Sequence, residues 1–237
     1  MQSSYSETAN HFGTLDYYGE ARPGVETGWE FFDFVPTGRQ SLVCSIGKGN
    51  GSGAGASFLT MSLPALFRGV ARRDPESLAA AVRDLNRTIY ELSAADFHAA
   101  FFCARIDAGL GELQYVNAGF GPALLLSRSQ PRARRLENTG TVLGLSLRVG
   151  FGERTAELQP GDLLLALSDG VTDGLSEEEI FHLVESSRQA RPVELVNRIL
   201  DASGGGGDRT AVAVRFQGRT ANGTVEAEEV ELVCAAA

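Results

Sequence analysis

The sequence has few of the residues that build disulfide frameworks or metal clusters. Its 237 residues include three cysteines, Cys44, Cys103 and Cys234, which lie far apart. A sparse and odd set of this kind does not predict a disulfide framework. Cys44 and Cys103 lie in apolar runs, so we expect both to be buried as small hydrophobic residues. The three histidines show no metal-ligand spacing.

Long apolar runs and excess positive charge are also missing. No stretch is apolar for long enough to cross a membrane, and the first residues lack the apolar core of a signal peptide. These absences predict a cytoplasmic protein that does not bind membranes. Lys and Arg number 21 against 30 Asp and Glu, which gives a net charge of −9. That balance argues against nucleic-acid binding, which requires a basic surface.

Glycine, by contrast, is abundant, with 28 residues. The densest cluster is GKGNGSGAG at 47–55. It is not a Walker A loop, because Lys48 is followed by Gly49, and a dinucleotide fingerprint would need a βαβ unit that this region does not predict. Two interpretations remain open. The cluster is a flexible turn, or its glycines let the backbone approach a ligand or a metal-bound phosphate.

The hydrophobic patterns predict strands in runs and helices in pairs. Pro64 predicts a kink or break in the first helix, Asp74 predicts the N-cap of the second, and Ser176 with Glu179 predicts a capping box. This order favours an α+β fold of antiparallel sheets packed with helix pairs over a doubly wound parallel sheet. The predicted strands are 29–35, 41–46, 98–107, 112–117, 123–128, 151–158, 162–168 and 210–216, and the predicted helices are 56–69, 75–92, 176–189 and 192–202.

The same patterns predict one domain with two polar ends. Residues 1–10 are polar and without periodicity, so we expect them to be disordered. Residues 11–216 form the domain. Residues 217–237 form an acidic tail, either an added edge strand or a mobile segment.

Three acidic residues stand at the ends of predicted strands. Asp169, followed by Gly170, ends an apolar strand, Asp208 precedes the last strand, and Glu30 interrupts an aromatic strand. Carboxylates placed in this way can hold a hard cation such as Mg²⁺ or Mn²⁺. Taken singly, each equally suits a structural role, such as capping a turn.

Taken in order, these segments resemble the PPM (type 2C) metal-dependent protein phosphatases. The resemblance is to the bacterial subgroup of the stage II sporulation protein E phosphatase domain and sigma-factor regulators, and it covers about residues 12–216. Its most specific segments are LQYVNAGFGP at 113–122 and LQPGDLLLALSDGV at 158–171. Further segments are 28–34, 47–53, 97–101, 142–145 and 207–210. The resemblance implies a central antiparallel β-sandwich flanked by helix pairs, in α-β-β-α layers.

The resemblance also implies a metal site, in which acidic side chains hold two ions that activate water. Here Glu30, Asp169 and Asp208 would be the catalytic and metal-binding residues. Lys48 and Gly207 stand where the family has aspartates, so two of four central carboxylate positions are lost. The cofactor would be Mn²⁺ or Mg²⁺, bound weakly, or no metal at all. The glycines expected to approach a phosphate are Gly47, Gly49, Gly51 and Gly170.

We hypothesise that Lys48 occupies the vacated cation site and pairs with Glu30 and Asp169; the alternative is that Lys48 points to solvent. The function implied is a serine/threonine phosphatase that acts on or binds a phosphorylated bacterial regulatory protein, such as an anti-sigma-factor antagonist. Its activity would be weak. The alternative function is an inactive pseudophosphatase that serves as a phosphoprotein-binding module. The oligomeric state is not predicted.

Overall fold

Two antiparallel sheets face each other at the centre of the molecule. The computed structural model describes residues 10–24, 29–73, 77–93, 96–128, 130 and 132–219. Sheet A contains, in spatial order, β1 (Asn10–Phe12), β2 (Leu15–Arg22), β11 (Arg209–Phe216), β10 (Leu163–Leu167), β7 (Ala123–Leu126) and β8 (Arg134–Arg135). Sheet B contains β3 (Glu30–Pro36), β4 (Ser41–Asn50), β5 (His98–Asp107), β6 (Glu112–Ala118) and β9 (Arg154–Glu157).

Helices cover the outer face of each sheet. α1 (Gly53–Arg73) and α2 (Leu78–Leu92) pack on sheet B, and α4 (Glu177–Ser186) and α5 (Pro192–Ala202) pack on sheet A. The short helix α3 (Asp169–Thr172) joins β10 to this second layer. A third apolar cluster fills the space between the sheets. The α-β-β-α layers and the α+β class expected from the sequence are therefore confirmed.

Side-chain alternation along β4 decides which residues face the space between the sheets. Leu42, Cys44 and Ile46 pack in the inter-sheet cluster, while Val43 packs beneath the helices. Because successive side chains of a strand point to opposite faces, Lys48 lies on the inter-sheet face with the even-numbered residues. Glu30 lies opposite Lys48 in the β3–β4 register.

The starts of α2 and α4 show what capping residues can and cannot specify. The capping box of Ser176 and Glu179 is present at the start of α4. α2 begins later than predicted, at Leu78, because Ser77 is its N-cap and accepts a hydrogen bond from the Ala80 backbone N–H. The predicted cap, Asp74, lies outside the described residues.

Other predictions at element boundaries were wrong. α1 continues through Pro64 as one helix of 21 residues, so a break at Pro64 is excluded. β4 extends to Asn50, so part of the predicted glycine loop is a strand. β1 and β2 had no sequence signal and form by pairing with each other and with β11. Of the stretch 1–10 predicted to be disordered, residues 1–9 lie outside the described residues, as does most of the acidic tail, 220–237. Asn10 was predicted wrongly, because it begins β1 and pairs with Tyr17 of β2. None of the described helices is long and apolar enough to span a membrane.

Candidate active site

Lys48 and Glu30 meet at one end of the space between the sheets. They are directly opposite each other in β4 and β3, and the Lys48 Nζ lies 3.9 Å from the Glu30 Oε1. The Glu30 side chain is 2% exposed, whereas that of Lys48 is 31% exposed. Among the described residues, the ion pairs of Lys48 include Glu30 and do not include Asp169. Lys48 is also the only lysine of the chain, since the other 20 basic residues are arginines.

The buried Glu30 carboxylate reaches from sheet B toward sheet A. Burial raises its pKa from 4.5 to about 7, and Asp208 adds to the rise. The hydroxyls of Thr210 and Ser168, at the ends of β11 and β10, oppose the rise, as does the Lys48 ammonium. Neither oxygen of Glu30 has a hydrogen-bond partner of regular geometry among the described residues. Glu30 is therefore a buried acid whose polar atoms are poorly satisfied.

The Asp208 side chain forms hydrogen bonds with the backbone just before β3. Its carboxylate oxygens accept hydrogen bonds from the backbone N–H of Gly24 at 2.7 Å and of Trp29 at 3.4 Å. These two donors lie on either side of residues 25–28. Asp208 thus has a structural task that does not depend on a metal ion.

Asp169 is exposed and is the first residue of α3. Two glycines near Asp169 allow segments of the chain to approach closely. A Cβ on Gly121 would lie 3.1 Å from the Asp169 Oδ1, and a Cβ on Gly170 would lie 1.9 Å from the Asp208 carbonyl oxygen. Because glycine has no side chain, the turn after β10 can pack closely against the start of β11.

The glycines expected to approach a phosphate have packing roles in this structure. Gly47 and Gly49 belong to β4, and a Cβ there would lie 2.5 Å from the Phe31 ring and 1.9 Å from the Thr60 Oγ1, respectively. A Cβ on Gly51 would lie 2.9 Å from the Ala56 Cβ. The interpretation of 47–55 as a single loop was therefore wrong, because α1 must lie close against β4.

The surroundings of these acids do not fit a pair of divalent cations. Among the described residues, no three His, Cys, Asp or Glu side chains converge closely enough to hold a metal ion. Gly207, where the resemblance places an aspartate, supplies no ligand, and a Cβ there would meet nothing within 4 Å. Glu30, the most deeply buried of these acids, lies beside the Lys48 ammonium.

Two hydroxyl residues of this site were missed by sequence reasoning. Ser168 and Thr210 are both fully buried and lie next to the acids already singled out. The Ser168 hydroxyl accepts a hydrogen bond from the Thr210 backbone N–H at 2.9 Å, and this bond ties β10 to β11. The available signal was a hydroxyl directly before Asp169 and another shortly after Asp208.

Comparison with known proteins supports the resemblance. The family model described as stage II sporulation protein E (SpoIIE) matches residues 38–217. Over 83 residues the chain is 35% identical to protein IcfG of Synechocystis sp. (strain ATCC 27184 / PCC 6803 / Kazusa), which covers 35% of the chain and 13% of that relative. Over 127 residues it is 26% identical to phosphoserine phosphatase RsbU of Bacillus subtilis (strain 168), which covers 51% of the chain and 38% of that relative.

A solved structure shows the same architecture. The RsbU and RsbW domains of Rv1364c from Mycobacterium tuberculosis superpose with a TM-score of 0.75 and 26% identity, over 87% of this chain and 61% of that one. The chain thus spans well under two thirds of the two curated relatives and slightly under two thirds of this structure.

Proposed function

Since the chain belongs to the stage II sporulation protein E family of PPM serine phosphatases, we propose that it recognises a phosphorylated bacterial regulatory protein and dephosphorylates it weakly. Members of this family use Mn²⁺ or Mg²⁺. The partner that the resemblance implies is a phosphoserine or phosphothreonine protein, such as an anti-sigma-factor antagonist. The proposal of weak activity rests on the contact between Lys48 and Glu30, in which the Lys48 Nζ lies 3.9 Å from the Glu30 Oε1.

The charges around this contact explain the expected weakness. Two divalent cations carry a charge of +4, which family sites compensate with several carboxylates. Here the side-chain charges of Glu30, Asp169, Asp208 and Lys48 sum to −2 when all are ionised. Since the pKa of Glu30 is about 7, that carboxyl is ionised only in part at neutral pH. The Lys48 ammonium also repels a dication at short range.

A second function is favoured by the same contact. Lys48 supplies a positive charge where the family has an acid, and a lysine can bind a phosphate group as a point charge. In this alternative the domain keeps the fold and binds the phosphorylated partner without hydrolysing it. Both functions include binding of a phosphopeptide, but only the first includes its hydrolysis.

The test compares turnover of a phosphoserine peptide with Mn²⁺ in two proteins, the wild type and the Lys48→Asp/Gly207→Asp variant. The aspartate at 207 has free space, since no atom lies within 4 Å of a Cβ there. We expect slow turnover by the wild type and turnover raised roughly 100-fold or more in the variant, the scale of metal-assisted stabilisation of several kcal/mol.

A matched control separates the local effect from overall charge. Arg39 lies exposed in the β3–β4 turn, and Gly206 is also open to a Cβ. The Arg39→Asp/Gly206→Asp variant makes the same charge change and should turn over substrate like the wild type. Fast Mn²⁺-dependent turnover by the wild type would contradict the proposal. Phosphopeptide binding with no turnover at all would favour the second function.

A further inference from the structure

A cavity of about 220 Å³ opens on the helix side of sheet A, at the far end of β10 from the candidate active site. Leu163, the first residue of β10, lies in its wall, whereas Asp169 follows the other end of this strand. Val184 of α4 and Leu195 of α5 supply apolar walls. Gly161 and three arginines, Arg128, Arg188 and Arg215, also line the cavity, and we call this site the arginine pocket.

Arg215 is a buried cation held by carbonyl groups. It is 7% exposed, and its two terminal nitrogens donate to the carbonyl oxygens of Gly161 and Ala190, each at 2.9 Å. Its Nε is buried and has no hydrogen-bond partner among the described residues. Asp16 is its partner across the β2–β11 register, but the Asp16 carboxylate accepts hydrogen bonds from His11 and Gln217 instead. Arg215 thus forms no ion pair within the described part of the chain.

Arg128 brings a second positive charge to the same place. A Cβ on Gly161 would lie 2.2 Å from the Arg128 Cδ, so the arginine side chain lies across the Gly161 Cα. Gly161 has φ +93°, a conformation that favours glycine. Burial is the main cause that lowers the pKa of Arg215; the nearby Arg128 charge lowers it further, whereas the Asp16 carboxylate opposes the shift. Gly161 therefore helps to position both arginines. Its carbonyl oxygen accepts a hydrogen bond from Arg215, and its lack of a side chain leaves room for Arg128.

Among the described residues, neither of these two arginines forms an ion pair with a neighbouring acid. The buried Asp162 carboxylate accepts the backbone N–H groups of Arg128 at 3.1 Å and of Gln159 at 3.0 Å. Arg188 forms an ion pair with Glu185 and donates to the carbonyl oxygen of Ser127, which fixes the loop before Arg128. Two guanidinium charges thus remain without a carboxylate partner among the described residues.

We propose that the arginine pocket binds a phosphate group, either as inorganic phosphate or as a small phosphate monoester. A phosphate carries a charge between −1.5 and −2 near neutral pH, about the charge that these two arginines leave uncompensated. Guanidinium groups bind phosphate through paired hydrogen bonds. The cavity is smaller than the ~300 Å³ at which pockets for drug-sized ligands begin, which favours a small anion. The site is separate from the proposed catalytic residues and does not depend on the proposed function.

The test is calorimetric titration of the whole chain with inorganic phosphate and with O-phosphoserine, at ionic strength held constant with chloride. We expect saturable binding by the wild type. The Arg128→Ala variant should bind roughly ten- to a hundred-fold more weakly, the loss expected for a hydrogen bond to a charged group. Arg128→Lys keeps the charge but loses the paired hydrogen bonds, so it should bind with intermediate strength.

Two control variants assign the binding to this pocket. Arg132 is an exposed arginine of the same loop that does not line the cavity, so Arg132→Ala should bind like the wild type. Arg148→Ala removes another exposed arginine outside the cavity lining and should also leave this binding unchanged. Tighter binding of phosphoserine or of phosphate identifies the occupant, and either supports the proposal. It is overturned if neither ligand saturates, or if Arg128→Ala binds as tightly as Arg132→Ala.

Discussion

The ammonium of Lys48 lies 3.9 Å from the carboxylate of Glu30, directly across the β3–β4 register. This contact puts the only lysine of the chain beside the most buried acid of the candidate site. Glu30 belongs to the first strand of sheet B and reaches Ser168 and Thr210, at the ends of the two central strands of sheet A. The pair therefore lies at one end of the space between the two sheets.

Glu30 should make stability depend on pH. Its pKa is about 7 in the folded chain and near 4.5 when exposed, so the folded state holds this proton more tightly. The free energy of unfolding should thus fall as pH rises from about 4.5 to 7 and then level off. Glu30→Gln should remove that fall, which amounts to about 3 kcal/mol of unfolding free energy at most. Urea unfolding at pH 5 and pH 8 measures it. Glu157→Gln, on an exposed strand residue, should follow the wild type.

The single lysine allows Glu30 to be observed directly. In a chain made with lysine labelled at Cε with ¹³C, one side-chain signal is expected, from Lys48. Because the Glu30 carboxylate lies 3.9 Å from the Lys48 Nζ, its ionisation should shift that signal with a midpoint near pH 7. The shift should vanish in Glu30→Gln. A signal that does not move between pH 5 and pH 8 in the wild type would mean that the two groups do not interact in solution.

Gly49 should be intolerant of any side chain. A Cβ at this position would lie 1.9 Å from the Thr60 Oγ1 of α1, and Thr60 is fully buried. We expect Gly49→Ala to destabilise the protein by about 1–3 kcal/mol, the usual cost of overpacking. Gly69→Ala is the matched control, because it lies in α1 with nothing within 4 Å and should stabilise the helix by up to about 1 kcal/mol. Denaturant midpoints of the two variants should therefore move in opposite directions.

Asp208 should matter for stability without any metal. Its carboxylate accepts the backbone N–H groups of Gly24 and Trp29, so Asp208→Ala leaves both donors without this acceptor. We expect a loss of about 1–3 kcal/mol, measured by unfolding in the presence of a chelator. Asp208→Asn keeps one acceptor oxygen and should lose less. If Asp208→Ala is as stable as the wild type, Asp208 does not have this structural role.

The sequence predicted the layers well, because burial patterns are local. The strand at His98–Asp107 and the helix at Pro192–Ala202 occur with the predicted bounds. β2 gave no signal, because Asp16, Glu20 and Arg22 break its apolar pattern and it is held by pairing with β11. That pairing joins segments almost 200 residues apart and cannot be recognised from composition.

The acids of the site were easier to predict than their neighbours. The order of the acidic residues along the chain identified Glu30, Asp169 and Asp208 as candidates. It could not predict the distances between them. The glycines of β4 were taken for a loop because their contacts, the Phe31 ring and the Thr60 hydroxyl, come from other elements. The predicted contact of Lys48 with Asp169 is not among the ion pairs of the described residues, whereas the contact with Glu30 is.

The most direct test of the account is the amount of Mn²⁺ that the chain retains in equilibrium dialysis against millimolar free metal. Since Lys48 and Gly207 weaken metal binding, the wild type should retain less than one ion per chain. Lys48→Asp/Gly207→Asp should retain stoichiometric Mn²⁺, and Arg39→Asp/Gly206→Asp should match the wild type. Retention of two ions per wild-type chain would contradict the account.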